Sequence, residues 1–373
     1  MTVVTSEPEV RPAMLDAVRT LVECESPSSD HAAVARSADV VAGIGAVLLG
    51  SDPERIVVDG VTHLRWRQGE TKVLVLAHHD TVWPLGSLAT HPFSIADGIL
   101  RGPGTFDMKC GLAMAFHALA DLPSREGVTL LVTGDEEVGS TTSRALIEAE
   151  ATGARAAFVL EASADGGALK LARKGVSSYE LRVTGRAAHA GLEPERGANA
   201  AVELAHQVLA IAALADPDAG TSVTPTVLTA GTTVNTVPAS AVVSVDVRAW
   251  TTAEQDRVDA GIRALVSHVQ GTALEVRGGP NRPPLEESAS ADLFAQAQAI
   301  AADLGVPPLT SAAVGGGSDG NFTAGIGVPT LDGLGAVGGG AHADHEHVVI
   351  AELEPRTRLL TGLIARVLEA DLE

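Results

Sequence analysis

The residues best suited to chemistry stand where apolar runs end. Residues 73–77 are apolar throughout and stop at His78-His79-Asp80. On an extended chain, residues i and i+2 point the same way, so His78 and Asp80 share a face and His79 faces away. A carboxylate beside a metal-bound imidazole fixes its tautomer and raises its basicity, so the pair reads as a metal ligand with its orienting partner. The plainer alternative is two histidines and a turn-forming Asp. The pattern recurs at residues 127–133, which run into Asp135-Glu136-Glu137, and at 156–160, which stop at Glu161. Consecutive acids after a buried strand are costly unless solvated or bound to cations. They form either a solvated loop that opens a helix at Ser140, or a site where one carboxylate ligates metal and its neighbour acts as general base. Asp107, in Arg101-Gly102-Pro103-Gly104-Thr105-Phe106-Asp107-Met108-Lys109, has two readings as well. It is a helix N-cap, or a carboxylate presented into a crevice and bridging two ions.

The elements that must hold these residues follow from periodicity. Helices are expected at 12–22, 31–49 (ended by Gly50), 112–122, 292–304 and 354–370. An edge strand is expected at 59–67, and buried strands at 73–77, 127–133, 156–160 and 330–334. Such an alternation is an α/β sheet, whose ligands bind beyond the carboxyl ends of its strands. Between 176 and 277 the texture changes to strand 177–185, helix 198–214, strands 222–230 and 241–250, helix 252–269 and strand 272–277. This β-α-β-β-α-β order is that of a ferredoxin-like unit. The expected domains are therefore 1–175 with 283–373, and an insert at 176–282. His189, Asn235 and Arg248 punctuate the insert, each equally readable as a solvated or turn-forming residue. A late glycine run, Gly338-Gly339-Gly340, leads into His342, His345 and His347, with Asp344 and Glu346 between them.

Bulk properties narrow the class. At 373 residues the chain is long enough for two domains. A net charge of −21 argues against a nucleic-acid partner or an anionic membrane surface, while leaving room for a local cationic pocket. Aromatic residues at 3% leave little surface for stacking bases or sugars. No run of eighteen apolar residues predicts a membrane span, and the first residues lack a secretory pattern. Two cysteines, Cys24 and Cys110, fit a reducing cytoplasm.

Taken in order, H-x-D, G-P-G-T-x-D-M-K, D-E-E-x-G-S, a strand ending in Glu and a late H-x-D-x-E resemble the two-zinc exopeptidase family. That family includes carboxypeptidase G, succinyl-diaminopimelate desuccinylase, peptidase T and the aminoacylases. The resemblance spans nearly the whole chain. It implies a zinc-exopeptidase-like α/β/α catalytic domain with an inserted ferredoxin-like α+β lid and dimerisation domain, working as a homodimer. It implies two zinc ions per subunit, with cobalt or manganese as substitutes. His78 and Glu161 would be terminal ligands of one ion, Glu137 and His342 of the other, and Asp107 the bridge. His345 and His347 are also available, and spacing alone does not separate them from His342. Asp80 would orient His78, and Glu136 would be the general base. His189 would stabilise the oxyanion across a dimer, while Asn235 and Arg248 would bind the substrate's free carboxylate.

The implied activity is hydrolysis of a peptide or N-acyl amino acid, releasing a C-terminal residue. Lys170 and Arg282 lie about where carboxypeptidase G has cations for a glutamate side chain, although both read equally as surface or hinge charge. The alternatives are an aminoacylase, N-deacylase or dipeptidase of the same family, and a catalytically silent metal-binding protein. One departure stands beside Asp107. Cys110 replaces the glycine that usually follows the motif lysine, as inert packing or as a metal-sensitive thiol.

Overall fold

The computed structural model describes residues 10–370. The chain divides into two compact units. One contains the chain up to Ala172, Glu287–Val314 and the chain from Ser318, and the other contains Arg173–Glu286 with Gly315–Gly317.

The first unit is built on β1 (Glu54–Val58), β2 (Val61–Gln68), β3 (Val73–His78), β4 (Val128–Thr133) and β5 (Ala156–Val159). Their order is β1-β2-β4-β3-β5, with the short strand Thr330–Leu331 beyond β5. β3 runs parallel to β4 and β5, while β2 is antiparallel to β4. The continuous apolar run of β3 reflects burial on both faces. Val73, Val75 and Ala77 enter one core with α1 (Pro12–Glu23), α2 (His31–Leu49) and α3 (Cys110–Ala120). Leu74 and Leu76 enter another with Ile147 and Ala151 of α4 (Arg144–Ala151). The result is an α/β/α sandwich. Each fully buried Val or Leu stabilises by roughly 1.5–3 kcal/mol, which offsets the desolvation of the polar groups at the end of β3. By length and composition α2 could cross a membrane. It is nevertheless a core helix, with Val34, Ala38 and Val41 wholly buried.

Several expectations are corrected here. The strand expected at 59–67 is not an edge, because β1 lies outside it. Asp59 and Gly60, both at positive φ, make the two-residue turn that closes the β1–β2 hairpin. No helix opens at Ser140. Its hydroxyl reaches Asp319, and those of Thr142 and Ser143 reach Asp135. Side chains satisfied in this way hold a turn, and α4 starts only at Arg144. A small sheet was also not anticipated. It joins Ser94–Ala96, Ile99–Arg101, His347–Val349 and Gly338–Gly339, strands too short to show periodicity.

The second unit contains β6 (Gly175–Thr184), β7 (Ser222–Ala230), β8 (Ser240–Ala249) and β9 (Ala273–Arg282), ordered β7-β8-β6-β9 and all antiparallel. With α5 (Ala200–Ala212) and α6 (Thr252–Arg263) this is the ferredoxin-like arrangement. Leu181, Val183, Val243 and Val245 pack against Leu204, Ile211, Val258 and Ile262. The helix expected to reach 269 stops at Arg263, because the Glu203 carboxylate draws the amides of His268 and Val269 into a turn. The last strand runs to Arg282 rather than 277, and its Pro280 is tolerated because β9 is an edge.

Candidate metal centre

The carboxyl ends of β3, β4 and β5 deliver His78, the Asp135–Glu137 turn and Glu161 to one place. His78 Nδ1 lies 3.0 Å from the backbone carbonyl of Asp80 and 3.4 Å from its carboxylate. The proton therefore sits on Nδ1, and Nε2 faces Asp107 Oδ1 at 3.3 Å and Glu161 Oε1 at 3.5 Å. His79 points the other way and donates from Nε2 to the Thr62 carbonyl. Burial pushes its pKa down to about 4, so it stays neutral. Burial would raise the Asp80 pKa, but His78 and the Ser28 hydroxyl hold it below the usual range. The Asp80 carboxylate also accepts the amides of Glu136 and Glu137, both at 3.3 Å. One side chain thus orients the imidazole and shapes the acidic turn.

The three acids after β4 are not a solvated loop. Asp135 is 1% exposed and accepts the Thr142 amide at 2.7 Å and the Ser143 hydroxyl at 2.6 Å. Glu137 Oε2 lies 3.2 Å from His342 Nε2, while its Oε1 is buried with no hydrogen-bond partner among the described residues. Burial raises its pKa, against the pull of His342. Glu136 lies with His78 and Glu161, their ligand-capable atoms within 4.8 Å of one another, and His78, Asp107 and Glu137 form a second such group.

Asp107 is not the expected N-cap. The helix α3 begins at Cys110, which puts the cap position at Lys109, two residues beyond Asp107. Its two oxygens diverge. Oδ1 faces His78 and Oδ2 faces His342, each at 3.3 Å. Burial would raise its pKa, but His342 and His78 hold it far below the carboxylate range. His342 adopts φ +62°, unusual outside glycine, and this turns its ring toward the acids. His347 Nδ1 instead faces the His345 carbonyl. Hydrogen bonds to Asp107 and then Glu137 raise the His342 pKa to about 10. Carboxylates outnumber imidazoles in this half-buried cluster, and one carboxylate oxygen is orphaned. Both facts fit divalent cations held by nitrogen and oxygen ligands.

Beside the cluster, Cys110 is wholly buried and its thiol pKa is pushed up by burial, which makes it packing rather than a reactive thiol. Lys109 is also buried, donates to the Cys24 carbonyl at 2.9 Å, and is lowered by burial to about 8. Glu346 went unassigned in the sequence, although it closes the H-x-D-x-E motif. Its partners lie some 240 residues upstream, and no local pattern points to them.

The residues expected to touch substrate are placed separately. Lys170 lies in the strand Leu169–Arg173, its backbone bridged to Asp332. His189, Asn235, Arg248 and Arg282 belong to the second unit. His189 Nδ1 accepts the amides of Gly191 and Leu192 at 3.1 Å, which leaves the proton on an outward Nε2. The Asn235 carbonyl accepts the Ala190 amide, so the two loops adjoin. Arg248 forks onto Asp246 (2.9 Å) and pairs in register with Val176. Arg282 pairs with Val176 from the other side and is 4% exposed, so it is not a surface charge.

A three-layer α/β sheet with converging His, Asp and Glu at its carboxyl edge defines an α/β protein with a candidate metal centre. The chain belongs to peptidase family M20/M25/M40, whose pattern matches residues 74–366. It is accordingly a hydrolase of amide bonds. It is 30% identical to carboxypeptidase G2 of Pseudomonas sp. (strain RS-16), over 95% of this chain and 89% of that protein. It is 32% identical to the succinyl-diaminopimelate desuccinylase of Methylorubrum populi, over 80% and 82%. Among solved structures, the M20 metallo-carboxypeptidase Sso-CP2 of Sulfolobus solfataricus shares the fold with a TM-score of 0.74. Its identity is 16%, and the match covers 95% of this chain and 99% of that one.

Proposed function

We propose that this protein is a two-zinc carboxypeptidase that releases a C-terminal amino acid, with glutamate the best candidate, from an N-acyl or peptidyl conjugate. The observation that carries the reading is Asp107, whose two oxygens face different imidazoles, as a carboxylate shared by two ions would. His78 and Glu161 would hold one zinc, and Glu137 and His342 the other. Zinc at such a site supplies Lewis acidity and lowers the pKa of a bound water. Glu136 would take the proton of the attacking water and hand it to the leaving amine. His189, with its proton on Nε2, would donate to the developing oxyanion. Asn235 and Arg248 would bind the substrate's free carboxylate, with Arg248 sharing or exchanging its Asp246 partner.

The choice of glutamate is supported by the similarity to carboxypeptidase G2 over nearly the whole chain. In this reading the half-buried Lys170 and the buried Arg282 are the cations assigned to the glutamate side chain. The similarity to desuccinylases favours a second reading, an N-deacylase of the same chemistry. A homodimer formed through the second unit is supported by Val227 and Leu228, exposed on edge strand β7, and by Leu209, exposed on α5. A cytoplasmic setting is supported by two free cysteines.

The test is hydrolysis of N-acyl-glutamate, -aspartate, -leucine and -glycine by the zinc-loaded protein, read by mass spectrometry. Glutamate release should dominate, and Glu136→Ala should lose on the order of 10²–10⁴-fold in kcat while keeping its metal. Preference for a neutral residue would move the reading to the deacylase, and an active Glu136→Ala protein would remove the assigned base.

A further inference from the structure

We propose that Glu346 is a positioning residue that fastens the loop carrying Asp107 to the loop carrying His342, and so sets the affinity of the Asp107–Glu137–His342 group for its ion. The proposal rests on the two-ion reading above. Glu346 is 3% exposed, and both of its oxygens accept hydrogen bonds from the far loop. Oε1 takes the amides of Phe106 at 2.8 Å and Asp107 at 3.1 Å. Oε2 takes the amide of Gly104 at 2.9 Å and the Trp83 indole at 2.8 Å. Bonds to an ionised acceptor are about twice as strong as neutral ones, and here they converge on the backbone that presents Asp107. Glu346 follows His342 within one tight segment, closed by Ala343 donating to Gly340 and Glu346 donating to Ala343. The shared carboxylate and the far imidazole are therefore held to each other through Glu346.

The other side of the centre depends on this clamp only through the shared Asp107, since its terminal ligands are held elsewhere. His78 ends β3 and is oriented by Asp80, and Glu161 follows β5. Losing Glu346 should therefore act unequally on the two ions. Glu346→Gln keeps the size of the side chain but offers one acceptor oxygen and one NH₂ donor. Whichever way it turns, two of the four N–H groups then face another donor.

The experiment is calorimetric and mass-spectrometric titration of metal-stripped protein with Zn²⁺, for the wild type, Glu346→Gln and Trp83→Phe. The wild type should take up two ions. Glu346→Gln should weaken the second by about 10–100-fold, as loss of an outer hydrogen-bond partner typically does, and weaken the first markedly less. Trp83→Phe removes one donor only and should retain both ions. The Trp83 share of indole emission, obtained by difference from Trp83→Phe, should change in Glu346→Gln even without metal. Two ions of unaltered affinity in Glu346→Gln would overturn this proposal alone. Equal weakening of both, together with a lowered Tm, would reduce Glu346 to a general structural role and overturn it too. A wild-type protein that binds a single ion would overturn the two-ion reading and this proposal with it.

Discussion

With no metal bound, Asp107 and Glu137 raise the His342 pKa to about 10, and His78 is likewise raised well above its ordinary value by Asp107, Asp80 and Glu161, against its burial. A histidine whose folded pKa exceeds its unfolded one stabilises the fold fully below about 6.5. That contribution is lost as pH rises through the folded value. Metal works in the opposite sense, because cations displace these protons and bind more tightly as pH rises. The Tm of metal-stripped protein should therefore fall between pH 6 and 8.5, while the gain in Tm on adding zinc grows over the same interval. Scanning calorimetry at both pH values checks this, and a zinc gain that shrank with pH would speak against imidazole ligands. Most of these residues were legible one by one, because acids and histidines stranded at the end of apolar runs need a reason to be there. The job of Asp135 was not. Its spacing matches that of its neighbours, and only its burial beside Thr142 and Ser143 makes it a brace rather than a ligand.

The elements that deliver these side chains tolerate little change where helix meets strand. Gly111, in the first turn of α3, packs so closely on the end of β5 that an added Cβ would come 2.1 Å from the Leu160 carbonyl oxygen. That oxygen is backbone and immediately precedes Glu161. Gly111→Ala should destabilise by about 1–3 kcal/mol through overpacking, read as a lower urea midpoint, and should also weaken metal binding. Cys110→Ala, one residue away and facing the core, should cost less and leave metal binding unchanged. β3, β4 and β5 were readable because a doubly buried strand is apolar at every position. The four short strands of the small sheet were not. Two or three residues carry no period, and the pairing that unites the two hairpins, His347–Val349 with Ile99–Arg101, joins segments far apart in the chain.

For the whole molecule, the proposed dimer makes a direct prediction. Sedimentation should give twice the monomer mass, and Leu228→Glu, which puts a charge on the exposed edge strand β7, should yield monomer with its circular dichroism unaltered. A monomeric wild type would remove His189 from any role in a partner's site. The sequence by itself determined which residues are candidates for chemistry, that the chain is α/β with a β-α-β-β-α-β segment inside it, and which family it belongs to. These are local facts, written in residue type, period and motif order. The tertiary structure alone decided that His342 rather than His347 faces the acids, that Asp107 divides its oxygens between two imidazoles, and that Glu346 holds the Asp107 loop. Each depends on groups separated by tens to hundreds of residues. Such contacts are fixed by burial and by the need to pair every buried polar atom, which no spacing along the chain encodes.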